Sequence, residues 1–253
     1  MSAATVLIVA AFATALLSGL IGMGGGMLLL ATLFCFLPHA EAVPTHATVQ
    51  LASNSTRMLA FLRHVDWRTF GGFLLGSAPG LALGSGLLLA SGPPERSEPY
   101  LKMAVGLYIL VAAYLPKGRK ASAAGRWWEF PLLGAVAGTA ALTVGAVGPL
   151  IAPLFARRDF VKERLIATKA VCQMALHLAK IPVFLAVRSI DYARLGGITL
   201  VMAVVVIPGT LLGKRLLRFV SEEHFRLLYR VALTVAGAKV LVWDGVYALV
   251  GRG

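Results

Sequence analysis

Long apolar stretches follow one another along nearly the whole chain and are separated by short polar loops. Eight stretches can be delimited, at residues 3–37, 44–62, 69–90, 100–115, 129–156, 165–187, 193–213 and 225–250. Most are near the roughly 20 residues that a membrane-spanning helix needs. None alternates apolar and polar residues as the strands of a membrane barrel do. The pattern predicts an all-α integral membrane protein.

The first and fifth apolar stretches differ from the others in length and glycine content. Residues 1–38 contain no Asp, Glu, Lys or Arg, and as one helix they would measure about 57 Å across a hydrocarbon core of roughly 30 Å. Glycines mark where this stretch should break: Gly22, Gly24, Gly25 and Gly26. The fifth stretch repeats the pattern with Gly138, Gly145, Gly148 and Pro149. We expect both to break inside the bilayer.

The second half of the chain repeats the polar motifs of the first. Five pairs of positions lie 123 residues apart: Thr45 and Thr168, His46 and Lys169, Gln50 and Gln173, Asn54 and His177, Arg57 and Lys180. The sequence therefore predicts two homologous transmembrane repeats of about four helical segments each, residues 1–116 and 128–253, joined by a basic cytoplasmic linker, residues 117–127. Internal duplication is typical of transporters, whose binding sites lie at the repeat interface.

The loop cations indicate how the two repeats are oriented. If all eight segments crossed the membrane, the loop Lys and Arg residues would divide nine to ten and favour neither orientation. If the first and fifth segments return to the side they entered, the division is fourteen to five. Cytoplasmic loops carry the excess of Lys and Arg. This predicts three crossings per half, an inverted second repeat, both termini outside, and a location in the cell inner (plasma) membrane.

Composition and charge narrow the class of protein further. Apolar residues make up 58% and charged residues 14%, against roughly half and a quarter in soluble domains. A net charge of +13 would suggest a nucleic-acid partner in a soluble protein, but here the cations lie in short runs beside apolar segments. We expect the lipid bilayer as partner and no nucleic acid. Cys35 and Cys172 have no metal-like or disulfide-like spacing, and we expect no cofactor.

The second and sixth segments carry the polar residues that point to chemistry. Gln50, Asn54 and Arg57 share one helical face, and the same spacing recurs at the equivalent positions Gln173, His177 and Lys180. A cation in the apolar region costs at least about 2.5–3.5 kcal/mol. The only acidic residue in the interiors of the apolar stretches is Asp244, which lies far from both cations in the sequence. We therefore expect a transported anion to act as the counter-ion of Arg57 and Lys180. The alternative is that both cations snorkel to the membrane surface.

The glycine breaks offer a second set of donors for an anion. Bare backbone N–H groups at Gly24, Gly25 and Gly26, with a helix N-terminus behind them, suit a bound oxyanion, and Gly145 and Gly148 echo them. The alternative is close packing of helices, which uses the same residues. His177 lies inside an apolar stretch and suits a proton-coupled step, although a hydrogen-bonding role in the core is the simpler interpretation.

Other repeated features are interpreted as structural. Pro79-Gly80 and Pro208-Gly209, each followed by a second glycine four residues after the first, predict kinks or packing notches. Asp66 and Asp191 precede predicted helices and are expected to act as N-terminal caps or charges. No nucleophile, paired carboxylate or phosphate loop is recognisable, so we expect the protein not to be an enzyme.

These residues resemble the TauE/SafE family of sulfite and organosulfonate exporters. The resemblance rests on the glycine run Ser18–Gly26, the stretch Ala167–Gln173 leading to His177-Leu178-Ala179-Lys180, and the repeated Pro-Gly-x-x-x-Gly. It implies a transporter of two repeats for a small inorganic or organic sulfur oxyanion. One difference is Thr32, where family members commonly carry a proline, as Pro153 stands in the second half.

The combined reading is a secondary transporter that works by alternating access between two repeats. The expected substrate-binding residues are Gln50, Asn54, Arg57, Gln173, His177, Lys180, Gly24, Gly25, Gly26, Gly145 and Gly148. An anion channel with the same lining and, less favoured, an intramembrane enzyme are the alternatives. A homodimer is left open, as are the anion, the coupling ion and the direction of transport.

Overall fold

The computed structural model consists of helices wherever regular structure is described, which confirms the all-α prediction. The described residues are 2–21, 25–92, 94–114, 126–157, 162–187, 192–216, 227, 230–231, 233–235 and 237–250. Glycines Gly22 and Gly24 of the first predicted break, Asp191, and most of the predicted linker lie outside these ranges.

The helices follow the predicted segments in order, with the first and fifth segments each represented by two. The α-helices are α1 Ala3–Ile21, α2 Gly25–Phe34, α3 His39–Ala60, α4 Trp67–Ala90, α5 Pro94–Tyr114, α6 Glu129–Thr143, α7 Gly148–Arg157, α8 Lys162–Val187 and α9 Tyr192–Leu216. A 3₁₀ turn, Leu62–His64, separates α3 from α4. The last described segment has π-helical geometry over Lys239–Tyr247 and ends in the short helix α10, Ala248–Val250.

Several of these helices have the length and composition of membrane spans. Among the described residues, four helices qualify: Trp67–Ala90, Glu163–Ala186, Leu195–Leu216 and Leu233–Val250. Three shorter helical stretches, Ala3–Gly19, Gly25–Phe34 and Glu129–Thr143, are also apolar. The chain is therefore a multi-pass membrane protein. Helix α3 is not in either group, and it is the helix that carries Gln50, Asn54 and Arg57.

Hydropathy placed the start of several helices too late, by six residues at α5, which begins at Pro94 rather than at residue 100. Helix α3 begins at His39 rather than at residue 44, and α8 begins at Lys162 rather than at residue 165. Each has a glutamate in its first turn, Glu41 and Glu163 respectively. A carboxylate there is favoured by the positive end of the helix dipole. The apolar pattern marks only the part of a helix that faces lipid or core, so it misses such polar first turns.

Two pairs of helices pack side by side in the same direction. In the α4–α6 pair, Gly80 lies against Ala135 and Gly84 against Thr139, so both chains run parallel. In the α1–α9 pair, Phe12 lies against Gly209 and Leu16 against Gly213, again in parallel order. In each pair, a helix from residues 1–116 packs on one from residues 128–253.

Two other pairs of helices run in opposite directions. In the α3–α8 pair, His39 lies 6.3 Å from Phe184 and His46 lies 5.5 Å from His177, measured between ring centroids. Helices α3 and α8 are therefore antiparallel. In the pair formed by α5 and the C-terminal segment, Met103 lies against Gly245 and Gly106 against Leu241. This pair is also antiparallel.

The parallel pairs approach closely because glycine stands at their contacts. An added Cβ at Gly76 would lie 1.7 Å from the carbonyl oxygen of Pro131, and one at Gly80 would lie 2.1 Å from that of Ala135. On the other pair, a Cβ at Gly213 would lie 2.1 Å from the carbonyl oxygen of Leu16. No side chain fits at such separations. The interpretation of the repeated Pro-Gly-x-x-x-Gly motif as a packing notch is confirmed at these positions.

Asp66 caps helix α4, as predicted, and also ties it to α8. One carboxylate oxygen accepts hydrogen bonds from the backbone N–H groups of Arg68 and Thr69, each at 3.1 Å. The other pairs with Arg164 of α8, and the Asp66 backbone N–H donates to the hydroxyl of Thr168 at 2.9 Å. Partial burial alone would raise the pKa of Asp66, but the hydrogen bonds from Thr69 and Arg164 lower it overall.

The two short helices lie in the interior rather than at the surface. Helix α2 buries most of its side chains, among them Met27, Leu30 and Phe34, and α7 buries Ile151 and Phe155. Their first turns meet α3 and α8 at Gly26 and Gly148, which approach Gln50 and Gln173 respectively. The fold thus brings the starts of two short helices to the middle of the α3–α8 pair.

Candidate functional site

A small buried cavity lies between α3 and α8, where α2 and α7 begin. Its lining residues are Ser18, Gly26, Met27, His46, Gln50, Arg57, Ala146, Val147, Gly148, Lys169, Gln173 and His177. The cavity volume is about 20 Å³, which is room for one or two water molecules. The cavity is therefore narrow, and most of its lining residues are buried.

Helical spacing explains why these side chains meet. On α3, His46, Gln50, Asn54 and Arg57 stand at i, i+4, i+8 and i+11, and Lys169, Gln173, His177 and Lys180 stand at the same spacing on α8. Positions so spaced share one face of a helix. Because α3 and α8 are antiparallel, Arg57 lies toward the same end as Lys169, the two histidines meet in the middle, and Lys180 lies toward the opposite end.

Arg57 is held inside the protein by neutral groups. Its guanidinium donates to Asn54 Oδ1 at 3.2 Å, to Ser18 Oγ at 3.0 Å and to Ser53 Oγ at 3.2 Å. The side chain is only 5% exposed, and its Nε is buried without a hydrogen-bond partner. No carboxylate pairs with it among the described residues. A snorkelling arginine would reach the surface, whereas this one faces the cavity.

Asn54 supports Arg57 from behind and does not itself line the cavity. Its Oδ1 accepts from the guanidinium, so its amide nitrogen is left as a donor, and that Nδ2 is buried without a partner. Ser53, which also accepts from Arg57, exchanges a 3.0 Å hydrogen bond with Thr210 of α9. The guanidinium is thus fixed by α1, α3 and, through Ser53, α9.

Lys180 has a different environment from Arg57, although the two occupy equivalent positions in the sequence. Its Nζ donates to the carbonyl oxygen of Gly145 at 2.6 Å, and the side chain is fully buried. Gly145 has a φ of +94° in the turn between α6 and α7, a conformation that suits glycine. Lys180 does not line the cavity. The structure places it as a donor to the α6–α7 turn, next to the cavity.

His46 joins His177 in the middle of the site. The rings are 5.5 Å apart at an interplanar angle of 72°. His46 Nε2 lies 2.8 Å from the carbonyl oxygen of Gly26, while the Nδ1 atoms of both rings are buried without hydrogen-bond partners. The sequence pattern pointed to His177 alone for a proton-coupled step, but the earlier start of α3 puts His46 well inside a helix as well.

The predicted glycines divide between two roles. Gly26 and Gly148 line the cavity, where an added Cβ would come within 3.1 Å of Gln50 and 3.2 Å of Gln173 respectively. Gly25 instead packs on α1, since a Cβ there would lie 1.9 Å from the carbonyl oxygen of Thr14. Gly145 forms the turn that Lys180 contacts, and Gly24 lies outside the described residues.

Lys169, His46 and Ser18 line the cavity but were not among the predicted site residues. Lys169 is 2% exposed and stands one helical turn before Gln173. The signal for it was present, because His46 and Lys169 are one of the five pairs 123 residues apart. The predicted polar residues of each helix, here called the polar stripe, begin at Gln50 on α3 and at Gln173 on α8. Extending each stripe by one turn toward the start of its helix would have included His46 and Lys169.

The charge around the cavity is positive. Arg57 and Lys169 line it, and none of its lining residues carries a carboxylate. Asp244, the acidic residue of the apolar interiors, pairs with Lys239 of its own segment at 2.7 Å. A site of this kind favours negatively charged ligands with several hydrogen-bond acceptors.

Comparisons with known proteins give one clear match. The family model described as Sulfite exporter TauE/SafE matches residues 7–240, nearly the whole chain. Searches of curated proteins and of solved structures gave no significant match.

Proposed function

Because this chain belongs to the TauE/SafE family of sulfite exporters, we propose that it is a secondary transporter for a small sulfur oxyanion, either sulfite or an organosulfonate. The observation that carries the proposal is the cationic cavity between α3 and α8, with Arg57 and Lys169 in its lining and no carboxylate among the lining residues. An oxyanion entering it loses its hydration, and charge-assisted hydrogen bonds can offset that loss.

Different lining residues contribute different interactions with the oxyanion. Arg57 supplies a planar set of N–H donors, and its unpartnered Nε is one of them. Lys169 adds a second positive charge, and Gln50 and Gln173 add neutral donors from opposite helices. Gly26 and Gly148 bring bare backbone into the lining at the first turns of α2 and α7. Helix N-termini of this kind favour anions.

We also propose that the two halves are inverted repeats, and the helix directions support this. If all eight predicted segments crossed the membrane, α3 and α8 would be separated by four crossings and run in parallel. The same holds for α5 and the C-terminal segment. Both pairs are antiparallel, as expected if the α6–α7 unit returns to the side it entered. Inverted repeats with a binding site between them are common in secondary transporters.

The size of the cavity favours a carrier over a channel. Its volume of about 20 Å³ holds one or two waters, so an oxyanion needs the helices around it to move before it can enter. A carrier opens its site to one side at a time, whereas a conducting channel has a continuous path. Alternating access to so narrow a site fits a carrier.

Flux through purified protein in liposomes tests the proposed function. We expect saturable uptake of radiolabelled sulfite that unlabelled sulfite or an organosulfonate competes for, and accelerated exchange when the same anion is present inside. Liposomes without protein are the control. Linear flux with electrical conductance far above carrier turnover would favour the channel. Absence of sulfite and sulfonate flux would contradict the proposal.

Labelling of single cysteines tests the inverted arrangement. In a variant lacking Cys35 and Cys172, a cysteine replaces Phe36, before α3, or Glu163, at the start of α8; both positions are exposed. In intact cells we expect an impermeant thiol reagent to label position 36 and to reach position 163 only after the cells are opened. Labelling of both in intact cells would contradict inversion, because eight simple crossings put them on one side.

A further inference from the structure

Two histidines, His46 and His177, lie in the middle of the site, although Arg57 and Lys169 already supply the positive charge that attracts an anion. His46 and His177 are 1% and 2% exposed and pack edge to face. The carbonyl of Gly26 can only accept, so His46 Nε2 carries a hydrogen, and the Nδ1 atom of its neutral ring is a free lone pair. His177 Nδ1 is likewise buried and without a hydrogen-bond partner. The pair therefore offers at least one lone pair, on His46 Nδ1, that accepts no hydrogen bond from the described residues.

Among the described residues, the charged groups around this pair are all cations. Lys180 on α8 acts on both rings, and Arg57 on α3 and Lys169 on α8 line the same cavity. From α1, α2 and α7, the described residues that face the cavity contribute Ser18, Gly26, Met27 and Gly148, none of which titrates. With the site empty, these cations oppose another positive charge on either ring. A bound anion would remove much of that opposition.

We propose that His46 and His177 form a proton-binding site that takes up one proton together with each anion. The inference rests on the proposed function. The proton comes from hydronium in bulk water and bonds to the Nδ1 lone pair of one ring, leaving water behind and an imidazolium in the site. Because the rings touch, the proton belongs to the pair rather than to one residue. Anion and proton then cross in the same direction.

Thermodynamic linkage between proton and anion binding predicts how the anion affinity changes with pH. If the anion raises the affinity for a proton, the proton raises the affinity for the anion by the same factor. Anion binding should therefore strengthen as the pH falls through the range in which the pair titrates. With one linked proton, the dissociation constant of the anion changes by about tenfold per pH unit in that range.

Calorimetry on the purified full-length protein tests it. Sulfate and methanesulfonate are the probes because neither takes up a proton between about pH 6 and 8, the range in which histidine commonly titrates. Binding is measured in buffers of different ionisation enthalpy, which reports protons taken up per anion. We expect about one proton per anion for the unmodified protein. His46→Gln and His177→Gln should each bind with uptake near zero and little pH dependence.

A matched control and the opposite results complete the test. His64→Gln changes an exposed histidine in the 3₁₀ turn and should keep the full proton uptake. Anion binding without proton uptake in the unmodified protein overturns the proton site and leaves the proposed transporter intact, as does full uptake in both pair variants. If neither the probes nor sulfite bind, both proposals fail. Proton uptake by the unmodified protein does not identify the rings, so where a Gln variant does not fold, the Asn variant at the same position replaces it with the same expected loss of uptake.

Discussion

Helices α3 and α8 carry the same polar stripe, yet they hold their cations differently. Arg57 on α3 faces the cavity and is fixed by two hydroxyls and one amide oxygen. Lys180, its equivalent on α8, turns away from the cavity and donates to the backbone of Gly145. The second cavity cation, Lys169 on α8, lies 11 residues before Lys180 and one helical turn before the first predicted position, Gln173.

This difference shows that residues at matching spacing on two helices need not have the same role. Both cations are buried and neither pairs with a carboxylate among the described residues. What separates them is geometry: the antiparallel arrangement sends the last stripe position of each helix to opposite ends of the site. We therefore propose that Arg57 binds the anion and that Lys180 holds the α6–α7 turn.

The largest effect should come from Arg57. We expect Arg57→Gln to lower initial sulfite flux in liposomes roughly 100-fold, because it removes a charge-assisted set of donors. Arg57→Lys should recover only part of the flux, since an ammonium does not reproduce the planar fork. Thermal unfolding in detergent, measured in parallel, should change little.

Arg63→Gln is the matched control for this experiment. Arg63 lies in the 3₁₀ turn just after α3 and is exposed, so its loss should leave flux unchanged. Parental flux in Arg57→Gln would remove Arg57 from the binding site and, with it, the distinction drawn between α3 and α8.

Lys180 should affect stability more than transport. Lys180→Met leaves the Gly145 carbonyl buried without its donor, and we expect the free energy of unfolding to fall by about 1–3 kcal/mol. At temperatures where the variant stays folded, flux should fall only a few-fold. Leu178→Met, at an exposed position of the same helix, is the control and should change neither. A variant of full stability and no flux would instead put Lys180 in direct contact with the anion.

A carboxylate placed in the lining tests whether the two helices contribute equally. Gln50→Glu and Gln173→Glu each put a negative charge at equivalent positions of the cavity. We expect each to weaken sulfate binding about tenfold, which corresponds to about 1.4 kcal/mol, as measured by calorimetry. A loss from only one of the two would show that the anion lies against one helix. No loss from either would place the anion outside this cavity.

The smallest effect concerns the contact between α4 and α8. Because hydrogen bonds lower the pKa of Asp66, its contribution to stability should be present above the usual pKa of aspartate, about 3.9, and be lost as the pH falls through the lower folded value. Asp66→Asn keeps a capping side chain but loses the charge beside Arg164. We expect a loss of at most about 1 kcal/mol at neutral pH. Thermal melts of the two proteins should converge in acid; a gap that persists there would point to packing instead.

Much of the fold was readable from the sequence, because lipid imposes simple rules. The apolar stretches gave the order of the helices, and glycine spacing gave the notches at Gly80 and Gly213. The lining of the candidate cavity could be predicted only in part. Gln50, Arg57, Gln173 and His177 followed from helical spacing, whereas Lys169 and His46 were overlooked because they stand near the hydropathic edge of their segments.

The partner of Lys180 was not readable from the sequence. Its contact with the Gly145 carbonyl depends on where the α6–α7 turn lies in space, and periodicity along one helix carries no information about that. The conformation of a side chain on a shared helical face likewise depends on neighbours that are far away in the sequence. The hydrogen bond from Arg57 to Ser18 is an example.

The close contact of α1 with α9 has a consequence for how the protein is made. Gly19 and Gly213 meet at the two ends of a long stretch of chain, so α1 enters the bilayer well before its neighbour has been synthesised. At about 5–20 residues per second, the ribosome needs on the order of ten seconds or more to supply α9. During that interval the face of α1 that later contacts α9 is covered only by lipid or by an insertion factor. Assembly of the binding site therefore belongs to the end of biogenesis, after both halves have been inserted.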